Sequence, residues 1–198
     1  MKLPRLKTIL LTPLVLFVAL YIALAVTVFL DDASVEALDE SPAGPFTIAI
    51  FGASGTAGDG ILKAVLESPD IEKIHVITRR TTPRMEQGVA AGKVQLTTHM
   101  DYLDYSTIED SFTSVDAVYW AIGNSTFTEE EETYGKIHVD FPVQYDTKSR
   151  RDSQKPDVSV HDISSSDMSE DSSANWAREK VRAEKSLFKL AEGSSMRV

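Results

Sequence analysis

The chain has 198 residues, with 20 Lys and Arg against 30 Asp and Glu, no cysteine and 42% hydrophobic residues. That composition suits one compact domain with a buried core and argues against wholesale disorder, collagen-like or coiled-coil architecture. Lack of cysteine removes disulfides, zinc fingers, thiol nucleophiles and iron–sulfur ligation, and a net charge of −10 argues against a nucleic-acid partner, because phosphate recognition needs a surplus of cations on at least one face.

The charge is unevenly divided. Residues 1–30 carry Lys2, Arg5 and Lys7 and no acid, which leaves 17 cations against 30 acids, or −13, for the rest. Within the first part, residues 9–30 (ILLTPLVLFVALYIALAVTVFL) hold no charge, and as a helix this run spans roughly 33 Å, enough for a bilayer core of about 30 Å. A buried core helix is the alternative, but such helices rarely go six turns without a polar face. The expectation is an N-terminal transmembrane helix, with a single-pass membrane location. Ala23-Leu24-Ala25 also offers the small residues of a signal-peptidase site, but the apolar run continues past it, which suits a retained anchor better. Cations before the run and Asp31, Asp32, Glu36, Asp39 and Glu40 after it favour the N-terminus in the cytosol and the domain across the membrane, with the opposite orientation left open; an endomembrane, the endoplasmic reticulum first, is the expected location.

Residues 31–45 read as an acidic tether, and residues 46–198 as the folded domain. There, 46–51 (FTIAIF) is a strand ending in glycine, and 56–68 is a helix with Ile61, Leu62, Val65 and Leu66 on one face. Strands follow at 71–78 (IEKIHVIT) and 93–98 (KVQLTT), a helix at 105–114 and a strand at 116–122 (DAVYWAI). In the interval 124–157 the acidic run 129–132 suits a helix N-terminus, Asp140 ahead of Pro142 suits an N-cap, and 150–156 reads as a surface loop. A fifth strand at 158–163 (VSVHDI) precedes a helix at 175–191 with Val181, Leu187, Phe188 and Leu190 as its apolar side. The alternation predicts an α/β fold, a doubly wound parallel sheet.

The junction of the first strand and helix is the most informative stretch. FGASGTAG places Gly52, Gly55 and Gly58 in a G-x-x-G-x-x-G spacing. One glycine makes a tight turn off the strand, the next lets the backbone approach a pyrophosphate, and the third lets the helix pack closely on the sheet. The helix then offers unpaired N–H groups and its positive dipole end to the phosphates. Such a triplet, following an apolar strand and opening an amphipathic helix, predicts dinucleotide binding. NAD binders place Asp or Glu at the end of the second strand, whereas this chain has Thr78, Arg79 and Arg80. Two guanidiniums suit a 2′-phosphate, so NADP(H) is the expected cofactor; a solvated basic pair is the plainer alternative.

GASGTAG, HVITRR, Asp101-Tyr102, DAVYWAIG and HDISSSDMSEDSSANWAREKVRAEK together resemble the atypical short-chain dehydrogenase/reductases, most closely the oxidoreductase-like branch typified by the HIV Tat-interacting protein. The resemblance covers residues 46–198 and implies an NADP-binding Rossmann domain acting on a small carbonyl or alcohol substrate. It implies that Gly52, Ser54, Gly55, Thr56, Ala57 and Gly58 surround the pyrophosphate, Arg79 and Arg80 the 2′-phosphate, Asp101 and Tyr102 the adenine, and Ala121 and Gly123 the nicotinamide-side ribose. The family's catalytic Ser, Tyr and Lys fall on Ser164 or Ser165, Trp176 and Lys180, the lysine also holding the ribose. Trp176 departs from the pattern: an indole N–H donates a hydrogen bond but delivers no proton at neutral pH, so turnover is expected to be weak. A polar linker at 164–173 and a Lys180–Glu184 pair on an exposed helix face are the plainer readings of the same residues. Met196-Arg197-Val198 reads as the opening of a sixth strand, beyond which relatives carry the substrate-covering elements. The fold is therefore expected to be C-terminally truncated, either as a truncated product or with a homo-oligomeric or partner subunit completing it.

His75, His99, His138 and His161 are dispersed with no i,i+4 pair and read as surface or edge residues; no metal is expected. Asn124-Ser125-Thr126 is a glycosylation sequon, awkwardly placed at the expected cofactor site if the domain is lumenal.

Overall fold

The structure, a computed structural model, describes residues 6–30, 44–112, 114–124, 131–152, 158–165 and 168–192. Of the sequence expectations, the tether over 31–43, the start of the acidic run at 129–130, the loop at 153–156 and the strand opening at 196–198 lie outside them. The chain forms two units, Met1–Pro42 and Ala43–Val198.

The first unit is a single helix, α1 (Leu6–Leu30), of 25 residues. Its described side chains, Pro13 and those of residues 15–27, are all exposed. Among the described residues no helix is long and apolar enough to cross a membrane.

In the second unit, β1 (Phe46–Phe51) leads into α2 (Thr56–Glu67), then β2 (Ile71–Thr78), α3 (Pro83–Ala90) and β3 (Val94–Thr98). After a 3₁₀ turn at Glu109–Ser111 come β4 (Ala117–Trp120), α4 (Glu131–Gly135), a π-helical segment (Lys136–Asp140), α5 (Phe141–Asp152), β5 (Ser159–Asp162) and α6 (Asn175–Ala191). The five strands form one parallel sheet in the order β3-β2-β1-β4-β5.

The period-2 geometry of a strand explains how a continuous apolar run such as FTIAIF is used. Ile48 and Ile50 point to one face, where Ala53, Leu62, Ile74, Val76, Met85 and Val94 bury them beneath α2 and α3. Ala49 and Phe51 point to the other, into an aromatic layer of Tyr102, Tyr105, Phe112, Trp120 and Tyr145. Phe51 stacks on Trp120 with ring centroids 4.7 Å apart and meets Tyr145 at 4.9 Å. Both faces of the sheet are thus covered, as the doubly wound reading requires.

Four sequence expectations are corrected. Among the described residues of 105–114 only the 3₁₀ turn forms, because Asp101 Oδ1 accepts from Leu103 N at 3.0 Å and Asp104 Oδ1 from Ser106 N at 2.9 Å, local turns that compete with helix. Asp140 is not an N-cap: it ends the π segment, where Phe141 N–H reaches Lys136 O, and the helical run continues through the start of the expected 150–156 loop to Asp152. The widened turn accommodates Pro142, whose ring and missing N–H would break a regular α-helix. Leu187 is buried on α6 as expected, but Phe188 is 53% exposed, and the rest of the buried side is Ala177 and Ala183, since small alanines permit closer packing than larger residues. Three of the four histidines, His75, His99 and His138, are buried and not on the surface. The helix α3 had no counterpart in the sequence reading; its eight residues are too short for a periodic stripe, although Thr82, which accepts from Met85 N, and Pro83 behind it are a cap-and-proline start.

Candidate functional site

At the C-terminal ends of β1, β2 and β4 the strand order reverses, the place where open α/β sheets form a ligand crevice. A cleft of about 390 Å³ opens there, lined by the turn after β1 (Gly52, Ser54, Gly55), the end of β2 (Thr78, Arg79, Arg80), Met100 and Tyr102 after β3, and Ala121, Ile122 and Gly123 after β4.

The turn is built around glycine for identifiable reasons. Gly52 has φ +82°, and a Cβ there would stand 2.5 Å from the Ala121 carbonyl. At Gly58 a Cβ would meet Gly52 O at 2.3 Å, so Gly58 serves the packing of α2 on the turn, while at Gly55 the nearest atom would be Gly52 O at 3.5 Å. The turn closes through Gly55 N donating to Gly52 O at 3.0 Å. No side chain caps α2, so the first-turn N–H groups of Thr56, Ala57 and Gly58 lack the partners that helix geometry denies them. That is a cradle for an anion, with open space above Gly55. Thr56 and Ala57 themselves are exposed at the helix start and do not line the cleft.

Asp59, also in this first turn, would repel a phosphate. Arg84 of α3 neutralises it in a fork, Nε to Oδ1 at 2.8 Å and Nη2 to Oδ2 at 3.1 Å, and that pairing holds the carboxyl below its ordinary range. Sequence reasoning missed Arg84. It also missed the role of Thr78, whose buried hydroxyl donates to Arg80 O at 2.7 Å and accepts from Arg80 N at 3.2 Å, fixing the turn that carries Arg79 and Arg80 into the cleft. Both arginines are exposed beside it. Of the pair expected at the adenine, Tyr102 lines the cleft and Asp101 does not: its carboxylate is spent on Leu103 N.

The expected catalytic group gathers at the end of β5, and none of its members lines the cleft. Lys180 Nζ donates to Ile163 O at 2.6 Å and lies 3.9 Å from Asp162 Oδ2. Burial raises the Asp162 carboxyl, an effect that Lys180 opposes. Ser164 donates to Glu184 Oε1 at 2.7 Å. Glu184 is therefore the partner of Ser164, and Lys180 turns back to the strand end instead of pairing with it. Ser165 is half-buried beside Ser164, and Trp176 is half-buried one turn before Lys180 on α6.

Between cleft and catalytic group stands His138, 6% exposed, with its ring 4.1 Å from that of Tyr134 and Nε2 3.1 Å from Asn124 Oδ1. Burial first, and Lys180 second, push His138 down to about 4. Burial raises the Tyr134 hydroxyl, with Glu179 adding to it. Asn124 Nδ2, the atom a sequon would modify, is buried. Among the described residues no cluster of three or more His, Asp or Glu could hold a metal.

No protein-family model and no curated protein matches the chain, whereas solved structures do. A short-chain dehydrogenase/reductase from Saccharomyces cerevisiae superposes with a TM-score of 0.58 at 13% identity, covering 75% of this chain and 66% of that one. A UDP-glucuronic acid 4-epimerase from Bacillus cereus, solved in complex with NAD, gives 0.58 at 14%, covering 76% and 54%. A triphenylmethane reductase from Citrobacter sp. gives 0.53 at 18%, covering 73% and 46%. The fold is thus the Rossmann-type α/β fold of short-chain dehydrogenase/reductase structures. The chain spans between 40% and 66% of the length of such matched structures.

Proposed function

We propose that this domain binds NADP(H) as an oxidoreductase-like protein of the short-chain dehydrogenase/reductase class, with a carbonyl or alcohol as substrate and weak turnover. The observation that carries the reading is one cleft, at the switch point of the sheet, that joins an uncapped glycine turn to two arginines and to the end of β4. Arg79 and Arg80 would take the 2′-phosphate, the α2 N-terminus the pyrophosphate, and residues 121–123 the second nucleoside. When bound, the dinucleotide supplies a hydride. Lys180, placed by Ile163 O, would hold the ribose, and Ser164 or Ser165 would polarise the carbonyl. Trp176 can orient a substrate but leaves the proton to another donor.

NADPH is expected to raise the melting temperature more than NADH does, and Arg79→Glu to cancel that preference. Equal shifts by both dinucleotides in the unaltered protein would sink the NADP assignment.

One set of observations favours a second reading, a binding module that senses or scaffolds through the dinucleotide without turning it over. Trp176 occupies the tyrosine position, and Lys180 and Ser164 are both engaged by protein groups. Absence of NADPH oxidation with any carbonyl in a panel, alongside tight NADPH binding, would select it. In either case we place the protein at an endomembrane through residues 9–30, a reading supported by an uncharged run inside a 25-residue helix.

A further inference from the structure

The end of the cleft that carries Thr78, Arg79 and Arg80 is completed by Met100 and Tyr102, from the segment after β3, the strand beside β2 in the sheet. Tyr102 is buried there, whereas Met100 is 69% exposed, so its side chain meets the solvent of the cleft. Its position is fixed from both sides. His99 N donates to Thr78 O at 2.9 Å, which ties the residue before Met100 to the turn bearing the arginines. Asp101 Oδ1 accepts from Leu103 N at 3.0 Å, which locks the residue after it. A flexible, polarizable thioether is thus held on a constrained backbone in a cleft lined by two guanidiniums.

The three described methionines differ in what an oxidant can reach. Met85 is fully buried in the core beneath α2 and α3. Met168 is half-buried, and its sulfur accepts from Ser164 Oγ at 3.1 Å, which engages a lone pair. Among the described residues nothing donates to the Met100 sulfur. The chain has no cysteine to compete for an oxidant, so an accessible thioether is its softest target.

We propose that Met100 is an oxidation site that sets the affinity of the cleft for its dinucleotide, with hydrogen peroxide as the oxidant. The proposal rests on the dinucleotide reading above. A lone pair of Met100 Sδ attacks one peroxide oxygen as the O–O bond breaks, and the proton of the new S–OH group passes to the departing hydroxide. Sulfur gives up two electrons and the peroxide takes them, leaving a sulfoxide and water. The sulfoxide replaces an apolar surface suited to a purine ring by a polar group with a hydrogen-bond-accepting oxygen. Arg79 and Arg80 line the same end of the cleft and offer guanidinium donors, so that oxygen competes for the groups a 2′-phosphate needs.

Two ligands read the effect: NADPH, and adenosine 2′,5′-bisphosphate, which carries the adenosine half alone. After mild peroxide treatment, peptide mass spectrometry should find one added oxygen on Met100 before any on Met85 or Met168. Calorimetric titration of that protein is expected to show both ligands weakened about tenfold, the loss of one charge-assisted hydrogen bond. Its melting temperature without ligand should stay within about 2 °C of the untreated value, because an exposed side chain contributes little to the fold. Methionine sulfoxide reductases acting on both epimers should restore the affinity. In Met100→Leu the affinities before and after peroxide should agree within about twofold, whatever their starting value, while Met168→Leu keeps the full response. Unchanged affinity with Met100 oxidised, or a Met100 that resists peroxide, overturns the proposal and leaves the dinucleotide reading standing. A response that persists in Met100→Leu, or that comes with a lowered melting temperature, assigns the effect to another residue or to a damaged fold and also overturns it. If the untreated, unaltered protein binds neither ligand, the dinucleotide reading itself has failed and takes the proposal with it.

Discussion

Replacing Gly55 by alanine, beside the same change at Gly58, separates a glycine needed by the ligand from one needed by the fold. At Gly55 the backbone sits at φ −88° and ψ 168°, open to any residue, and the nearest atom to an added Cβ is Gly52 O at 3.5 Å, an ordinary contact. Alanine there reduces unfolded-state entropy, a gain of about 0.4–1 kcal/mol, and gives up a favoured N-cap residue, a loss of about 0.5–1 kcal/mol. The two nearly cancel, and the melting temperature should move by no more than about 2 °C. The methyl group instead occupies the space above the turn where a pyrophosphate would approach the α2 amides. Losing one or two charge-assisted hydrogen bonds of about 1.5–3 kcal/mol each would weaken NADPH at least about tenfold. At Gly58 the added carbon meets the backbone of Gly52 and Ala53, at 2.3, 2.7 and 2.8 Å, and the turn cannot yield because Gly55 N and Ala121 N tie it to Gly52 O and Phe51 O. That overpacking costs about 1–3 kcal/mol, or about 3–10 °C in a domain of this size. Melting curves with and without NADPH, and calorimetric titration, measure both quantities. A Gly55→Ala protein that binds NADPH within twofold of the unaltered one would refute the pyrophosphate cradle.

Three further outcomes are expected. His138 titrates near 4 in the fold against about 6.5 in the unfolded chain, so its contribution is complete above pH 6.5 and is lost as the pH falls towards 4. Discounted for screening at the cleft, this is about 2 kcal/mol; the fall in melting temperature over that window should be shallower in His138→Gln, and an unaltered slope would show that His138 is not the titrating group. Trp176→Tyr restores a proton donor one turn from Lys180 and should raise NADPH oxidation with a carbonyl panel by about 10²-fold or more; no rise, with binding intact, favours the binding module. Because Asn124 Nδ2 is buried, the folded domain should carry no glycan at its sequon. In translation with microsomes a glycosidase-sensitive shift abolished by Asn124→Gln would contradict that and place the domain in the lumen during folding.

Periodicity and glycine spacing were enough for the parallel strands, α2, α6 and the glycine turn after β1, because each depends on local rules: alternation along a strand, a 3.6-residue stripe, and glycine where a Cβ has no room. That Arg79 and Arg80 stand at the end of β2, beside the cleft, follows from the same local pattern. The residues around 105–114 were not, since Tyr105, Ile108 and Phe112 mimic a helical stripe yet are buried by an aromatic layer assembled from four separate segments. Histidines that look scattered along the chain are buried by packing that no local pattern encodes. What only the tertiary structure decided is the company each polar group keeps: Arg84 with Asp59, Ser164 with Glu184, Lys180 with the end of β5, and His138 with Asn124. These partners lie 14 to 25 residues apart. A hydrogen bond is satisfied by whatever the fold brings within about 3 Å, so sequence reveals which groups need partners, and only the folded chain chooses them.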